Sequence, residues 1–408
     1  MDPPTPRAIL RGHKSQVHAA TFIRHNSRLA TGDADGFVVL WDLLTMRPAA
    51  VWQAHQKPVL AIQSWGNRII THGRDNELTV WKLSEVDETH LSRQPPLESS
   101  VTPPRNKPWV DFMMPVNSMN FCAFSCCSAV ASEEVDTSNE IWFAVPNALQ
   151  LEGVDLFHLP SQTRKYTVKS VSNAGMVMAT ALGHDGGHLT LAAGYENGQA
   201  TVARLSADGN TWHLVYNYTA HSQPILSLKM STRREFFITT SADAVIAKHP
   251  VPRLFLASEQ PENSNVLPQA VTVPIRVVNT KHAGQQGLSV RCDDKILATG
   301  GWDSRGRVYS CKTLKEVAVL KWHEVGCYTT TFACLAPQQV EPAVSKMPVA
   351  ETDSAAGDSR DTLSLVSNAP HQKTGLTSVR EKRLAQVREG HWLAMGSKDG
   401  RVSLWDVF

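Results

Sequence analysis

One phrase recurs along the chain: an apolar strand, a tight turn rich in Asp and Gly, and a second apolar strand ending in an aromatic residue. Leu29-Ala30-Thr31-Gly32-Asp33-Ala34-Asp35-Gly36 runs into Val38-Val39-Leu40-Trp41-Asp42, and Ile70-Thr71-His72-Gly73-Arg74-Asp75-Asn76 into Leu78-Thr79-Val80-Trp81. Leu297-Ala298-Thr299-Gly300-Gly301-Trp302-Asp303 precedes Val308-Tyr309, and Leu393-Ala394-Met395-Gly396-Ser397-Lys398-Asp399-Gly400 precedes Val402-Ser403-Leu404-Trp405-Asp406. Each copy reads as a β-hairpin, because Asp-Gly and Asn-Gly supply the dihedrals of the turn at little cost.

A histidine in a short linker stands upstream of most hairpins: His13, His55, His221, His282 and His323. A Gly-His or Ala-His start and a Trp-Asp finish, recurring at roughly 40 residues, form the WD40 signature of a four-stranded propeller blade. Three worn copies complete the count. Leu191 to Gly198 leads into Ala200-Thr201-Val202 without its aspartate, and Phe236 to Asp243 leads into Val245-Ile246-Ala247 without its tryptophan. Ile141 to Asn147 pairs with Val154 to Leu159 as the last of them. The expected fold is therefore all-β, a seven-bladed WD40 β-propeller over residues 7–408. The last hairpin has no strand after it, so Arg7-Ala8-Ile9-Leu10 is expected to fill that place and close the ring, leaving only short, protected edges.

Three stretches break the rhythm. Residues 84–108, with Pro95-Pro96 and Pro103-Pro104, read as an exposed loop, and Glu133 to Glu140 as a short acidic turn in the third blade. Residues 336–390, rich in Pro, Ser, Ala, Asp and Gln, interrupt the last blade and read as largely disordered, because they bury too little apolar surface to offset ordering entropy. Within them Leu376, Val379, Leu384 and Val387 among basic residues suit a short amphipathic element or a nuclear-localisation patch, with a solvated linker as the plainer reading.

Composition favours an intracellular, soluble chain. An apolar fraction of 42% supports a large core, and a formal net charge of +2 gives no general attraction to nucleic acid or anionic membrane. No long apolar run suits a membrane helix, and Met1-Asp2-Pro3-Pro4 does not open a signal peptide. The seven cysteines are irregularly spaced, which argues for reduced, mostly buried thiols, with Cys122, Cys126 and Cys127 as core packing rather than a zinc site.

Repeated polar residues invite a catalytic interpretation that the repetition itself opposes. His13, Thr31, Asp35 and Trp41 are expected to meet within a blade, as are His55, Thr71, Asp75 and Trp81, and His282, Thr299, Asp303 and Tyr309. Histidine between a carboxylate and a hydroxyl resembles a hydrolase triad. An enzyme needs one activated nucleophile, however, and no G-x-S-x-G turn is present, so these sets read as structural networks that rigidify each blade. Gly183-His184-Asp185-Gly186-Gly187-His188 has metal-binding residue types but no further ligands beside it. Gly32 to Gly36 sets carboxylates where a phosphate would need donors. No catalytic residue, metal, cofactor or small-molecule substrate is expected.

What remains is a binding platform. The histidine linkers and the hairpin turns open on one face, displaying Lys14, Gln56, His72, Arg74, Ser222, Trp302 and Lys398. Arg74, Trp302, His72 and Lys398 are the candidate partner-binding residues, with Arg74 and Trp302 foremost because Arg and Trp are enriched at interface hot spots.

The run from Ile9-Leu10-Arg11-Gly12-His13 to Trp41-Asp42, the segment Ile70 to Asn76, Phe143-Ala144-Val145-Pro146-Asn147 with Asp155 to Pro160, and the closing Gly396 to Trp405 together resemble the ASTRA-associated protein 1 family of fungi. The likeness touches nearly the whole chain outside the insertions. It also extends to the animal G-protein β-subunit-like protein. The resemblance implies a nuclear subunit, possessing no catalytic residues and present also in the cytoplasm in some settings. It further implies a link to chromatin remodelling and to the chaperoning of phosphatidylinositol-3-kinase-related kinases, with large helical-repeat scaffolds and kinase-chaperone proteins as partners. Two rivals fit less well. A G-protein β subunit needs an N-terminal helix before its first strand. A substrate receptor of a cullin-type ubiquitin ligase commonly carries Trp-Asp-x-Arg, whereas Trp41-Asp42-Leu43-Leu44 and Trp405-Asp406-Val407-Phe408 lack the arginine.

Overall fold

The computed structural model describes residues 4–96, 105–131, 134–169, 173–252, 270–335 and 379–407. Alternating apolar residues around positive-φ turns give antiparallel strands throughout, and these assemble into seven four-stranded sheets. Blades 1 to 6 occupy residues 17–53, 59–115, 125–168, 177–219, 225–279 and 285–321. Their strands are lettered a to d in chain order. Blade 7 takes Cys327–Phe332, Trp392–Ser397 and Arg401–Asp406 from the end of the chain, and its outermost strand is Ala8–Arg11. That strand pairs antiparallel with Arg401–Asp406 in the register Ala8↔Leu404 to Arg11↔Arg401. The a strands of neighbouring blades touch and line the axis, so b and c are covered on both sides by adjacent sheets. This double burial explains why strands b and c read as continuous apolar runs rather than as alternation. Trp41, Trp52, Trp65, Trp81 and Trp405 are all fully buried between blades.

The hairpin assigned to the third blade forms as expected, with Ile141↔Leu159 through Pro146↔Val154. Of residues 84–108, read from composition as an exposed loop, segments 84–96 and 105–108 are described, and the first docks on blade 1. Asp87–His90 forms a 3₁₀ turn whose Glu88 is buried and paired with Arg24 and Arg28 of blade 1, and Ser92 O accepts from Val51 N at 2.7 Å. The carboxylate's partners lie about 60 residues upstream, where local composition cannot show them. The acidic turn of blade 3 likewise reaches backwards: Asp136 accepts from Ser64 Oγ at 3.0 Å and from Gly66 N at 3.1 Å, and Trp65 Nε1 donates to Ser138 O at 2.7 Å.

Of the long insertion in blade 7, residues 336–378 lie outside the described residues. Its C-terminal part forms a short element where the sequence offered an amphipathic one: Val379–Glu389 is an α-helix, α1, docked through buried Val387 and half-buried Leu384. Trp392 Nε1 donates to Val387 O at 2.9 Å, and Asn26 Nδ2 donates to both Cys334 O (2.7 Å) and Arg388 O (3.1 Å). One buried amide thus holds the two ends of the insertion together.

Candidate protein-interaction face

The repeated polar set is assembled by geometry that the strand register fixes. In blade 2, His55 Nδ1 meets Asp75 Oδ1 at 3.0 Å, His55 Nε2 meets Thr71 Oγ1 at 2.8 Å, and Trp81 Nε1 donates to Thr71 Oγ1 at 2.9 Å. The donors run Trp81 to Thr71 to His55 to Asp75, the order of a hydrolase triad, but the tryptophan seals the far side of the hydroxyl. Thr71 has no exposed surface, so no substrate carbonyl reaches its oxygen.

Blade 1 has the same chain with a different carboxylate. His13 Nδ1 pairs with Asp33 at 2.7 Å, not with Asp35, and Asp33 also accepts from the turn amides of Asp35 (3.0 Å) and Phe37 (2.9 Å). Asp35 is exposed at the tip of the turn. The sequence places two aspartates two residues apart, and the sheet turns the inner one toward the linker.

Blade 6 departs altogether. Asp303 is paired with Arg307 at 2.6 Å, His282 is half-buried without a hydrogen bond from its ring to Asp303 or Thr299 among the described residues, and Thr299 and Tyr309 are buried. The cause is a shift of one residue. In the linkers 12–16, 54–58, 220–224 and 322–326 the histidine is second, whereas in 280–284 Lys281 takes that place and His282 is third. A detectable signal accompanies it: the fourth residue after the histidine is an apolar core residue at Val17, Val59, Ile225 and Cys327, but Gln286 after His282.

Blade 5 contains a full network that the sequence reading missed. His221 meets Asp243 at 3.1 Å and Thr239 Oγ1 at 2.8 Å, and the missing tryptophan is replaced by His249, whose Nε2 lies 2.8 Å from Thr239 Oγ1. Tyr216 OH supplies the other ring nitrogen at 2.7 Å. Burial pushes the His249 pKa down to about 3, so its ring is neutral and donates where an indole would. In blade 7, His323 Nε2 and Trp405 Nε1 each lie 2.8 Å from Ser403 Oγ, so a serine on strand c stands in for the threonine of strand b.

The hairpin glycines complete the arrangement. A Cβ at Gly36 would sit 2.0 Å from His55 O, one at Gly198 2.1 Å from His221 O, and one at Gly400 2.4 Å from His13 O. Each turn therefore abuts the histidine linker leading into the next blade, which fixes the rim on this face. Gly183 to His188 spans a hairpin of blade 4 whose side chains bond to the protein itself: His184 Nε2 bonds Ser128 O of blade 3, His188 Nδ1 bonds Leu205 O, and Asp185 pairs with Arg204. Among the described residues, His55, Asp75 and Glu77 bring potential metal donors within 4.8 Å, but the histidine and aspartate already satisfy each other.

Three of the four candidate partner residues lie on this face. Arg74 is exposed and stacks its guanidinium 3.7 Å over the ring of Phe121. Trp302 is 49% exposed, donates to Gln286 at 2.9 Å and leans over Gly284. Lys398 is exposed, with its amide held by Gly326 O at 2.9 Å. His72 is not on the surface: strand b is covered on both sides, the ring is fully buried, and its Nδ1 accepts from Phe124 N at 3.2 Å. Burial lowers its pKa to about 3. Its role is to anchor the 116–124 linker.

That linker carries a feature not read from the sequence. Met119 (75% exposed) and Phe121 (55%) project from it, and Leu149 (92%) and Leu151 (59%) project from the adjoining hairpin turn of blade 3. The loops are stiff. Asn117 Nδ2 donates to Asn147 O at 3.0 Å, Ser118 Oγ donates to Asn76 Oδ1 at 2.8 Å, and Asn120 donates to Val177 O. Phe121 is held at φ 61°, a backbone state uncommon for an aromatic residue, so its outward display is imposed by these anchors. Large apolar side chains held rigidly in water beside an arginine fit an interface better than a monomer surface.

The profile of the family described as ASTRA-associated protein 1 matches residues 6–405. A protein of that description from Verticillium alfalfae is 51% identical over 99% of this chain and 93% of its own. Its counterpart from Schizosaccharomyces pombe is 36% identical over 81% of this chain and 93% of its own. Among solved structures, the Cps50 (Swd1) β-propeller domain from Myceliophteria thermophila superposes with a TM-score of 0.62 over all of both chains at 15% identity, a likeness of fold alone.

Proposed function

Because the chain belongs to the ASTRA-associated protein 1 family, we propose that it is a non-catalytic scaffold subunit of the ASTRA complex, holding other protein subunits on the face that carries the histidine linkers. In this reading it works in the nucleus, in chromatin remodelling and in the maturation of phosphatidylinositol-3-kinase-related kinases. The observation that carries the scaffold role is the contrast on one face: every histidine–carboxylate pair is consumed inside a blade, while Phe121, Met119, Leu149 and Leu151 are displayed beside Arg74 on braced loops.

Affinity purification of the tagged chain from its native cells at moderate salt, with mass spectrometry of what accompanies it, tests the proposal. Large helical-repeat scaffolds and kinase chaperones are expected; a cullin adaptor in their place overturns it. In the same assay Arg74→Ala with Trp302→Ala should lower partner recovery while leaving the melting temperature unchanged, and undiminished recovery moves the interface elsewhere.

A further inference from the structure

Where blades 7 and 1 meet, a cleft of about 940 Å³ opens on the outer wall of the ring, between the outermost strands of the two blades. Three walls of separate origin enclose it. Ile9 and Arg11, two residues apart on the outermost strand of blade 7, stand on one side. Met46, Arg47 and Pro48, where blade 1 passes from strand c to strand d, form the second, and Arg93 and Pro95 of the docked 84–96 segment form the third.

The carboxylates of the cleft are matched at its base. Arg28 spans Glu88 Oε2 at 3.1 Å and Asp42 Oδ1 at 3.2 Å, Arg24 pairs with the other oxygen of Glu88, and Glu85 bears on Arg24. Asp42 also accepts from Leu44 N and Thr45 Oγ1, each at 3.0 Å. The rim is different. Arg11, Arg47 and Arg93 are exposed, and among the described residues none of them has a carboxylate partner. The walls that carry these arginines are braced: Met46 is half-buried at φ 56°, Val51 N donates to Ser92 O at 2.7 Å, and Arg105 Nη1 donates to Gln94 O.

We propose that this cleft binds an acidic linear segment of a partner protein, a short run of Asp and Glu carrying one apolar side chain, on a surface separate from the histidine face. A guanidinium fork takes a carboxylate through two parallel hydrogen bonds, and clustered arginines are a recurring means of reading acidic motifs. Three forks on three walls match negative charge spread along a peptide rather than one small anion. Between them Ile9, Met46, Pro48 and Pro95 are half-buried and give a single apolar side chain a place to pack. Glu85, exposed beside them, repels an unbroken polyanion such as a phosphodiester backbone or an anionic bilayer, whereas a peptide sets an uncharged residue there. Because the walls are fixed by ion pairs and main-chain bonds already present, little ordering of the protein opposes binding.

The test presents the full-length chain to an array of short peptides in which Asp and Glu are set around one Leu, and measures the strongest binder by fluorescence anisotropy. Arg47→Ala with Arg93→Ala should weaken binding about ten-fold or more, and added salt should weaken it in the parent. Both residues are exposed, so the variant should melt as the parent does. A photoreactive copy of the peptide should cross-link to the unsubstituted protein within residues 45–48 or 93–95, which locates it without any variant. Arg74→Ala with Trp302→Ala should bind the peptide as the parent does, so this result stands apart from the histidine-face reading. No binder in the array, undiminished affinity in the Arg47 and Arg93 variant, cross-links only elsewhere, or equal displacement by duplex DNA or phosphatidylserine vesicles would each overturn the proposal.

Discussion

Replacing Asp33 and Asp35 separately gives the sharpest test of how this ring is stabilised. The Asp33 side chain has no exposed surface and accepts from His13 Nδ1 at 2.7 Å and from two turn amides at 3.0 and 2.9 Å. Asp33→Ala leaves the buried imidazole N–H without a partner, at about 1 to 3 kcal/mol, and removes the acceptor from amides that water only partly reaches; about 3 kcal/mol in total is a fair sum. Asp35 is exposed, so Asp35→Ala should change stability by less than about 0.5 kcal/mol. A ring of this size opens by sub-global steps, so hydrogen exchange of the blade 1 amides is a better measure than one global melt. About 3 kcal/mol raises the opening equilibrium roughly 100-fold. Exchange in blade 1 should therefore accelerate about that much in the Asp33 variant and hardly at all in the Asp35 variant. Equal effects, or a larger one for Asp35, would refute the network as described.

Gly400→Ala should destabilise the closing blade by about 2 kcal/mol or more, because φ is +79° there and the new methyl meets His13 O at the seam between blades 7 and 1; urea unfolding with exchange of the Ala8–Arg11 amides checks it. Asp75→Ala should cost about 1 to 3 kcal/mol in blade 2 by the same orphaning of buried partners, and unchanged melting there would count against the assignment. Acid should destabilise the fold well above the carboxylate range. His72, His249 and His323 have folded pKa values lowered by burial to about 3, 3 and 4, so below about pH 6.5 the unfolded chain takes up protons that the folded one refuses, and stability falls as pH falls. At pH 5 this amounts to about 2 kcal/mol for each histidine. The lowered carboxylates Asp75 and Asp243 retain their contribution until pH drops below about 4, so a urea midpoint that stays flat between pH 6.5 and 4.5 would contradict the assignment.

The period, the turns and the ring closure were legible because they depend on local patterning: apolar runs, Asp-Gly turns and a missing last strand. The networks were legible only where identity and spacing coincide. Blade 5 escaped notice because His249 performs the indole's donation with a different residue type, a substitution apparent only when Tyr216, from the neighbouring blade, is seen to supply the other ring nitrogen. Blade 6 misled because a histidine and an aspartate were both present; one residue of slippage in the linker released His282, and Arg307 took over the carboxylate. His72 misled because the same strand that ends in the exposed turn bearing Arg74 buries Ile69 through Gly73 before it. Exposure near a turn changes within two residues, and hydropathy windows do not resolve that.

The positions of the longer connections follow from the same physics. The linkers bearing His13, His55 and His221 place the ring within about 3 Å of a carboxylate and a hydroxyl, and the carbonyl against the glycine of the preceding hairpin, so their length is fixed. The a–b and c–d connections only join strand ends on the opposite face, where added length costs slowly growing loop entropy. The longest connections, residues 83–108, 251–275 and 333–391, all fall there. On the histidine face, the linkers into blades 3 and 4, residues 116–124 and 169–176, carry no histidine and are also the longer ones. Freed from the network, the first of these is where Met119 and Phe121 project, so the candidate interface lies at the part of the rim where the blade scaffold leaves the chain free to vary.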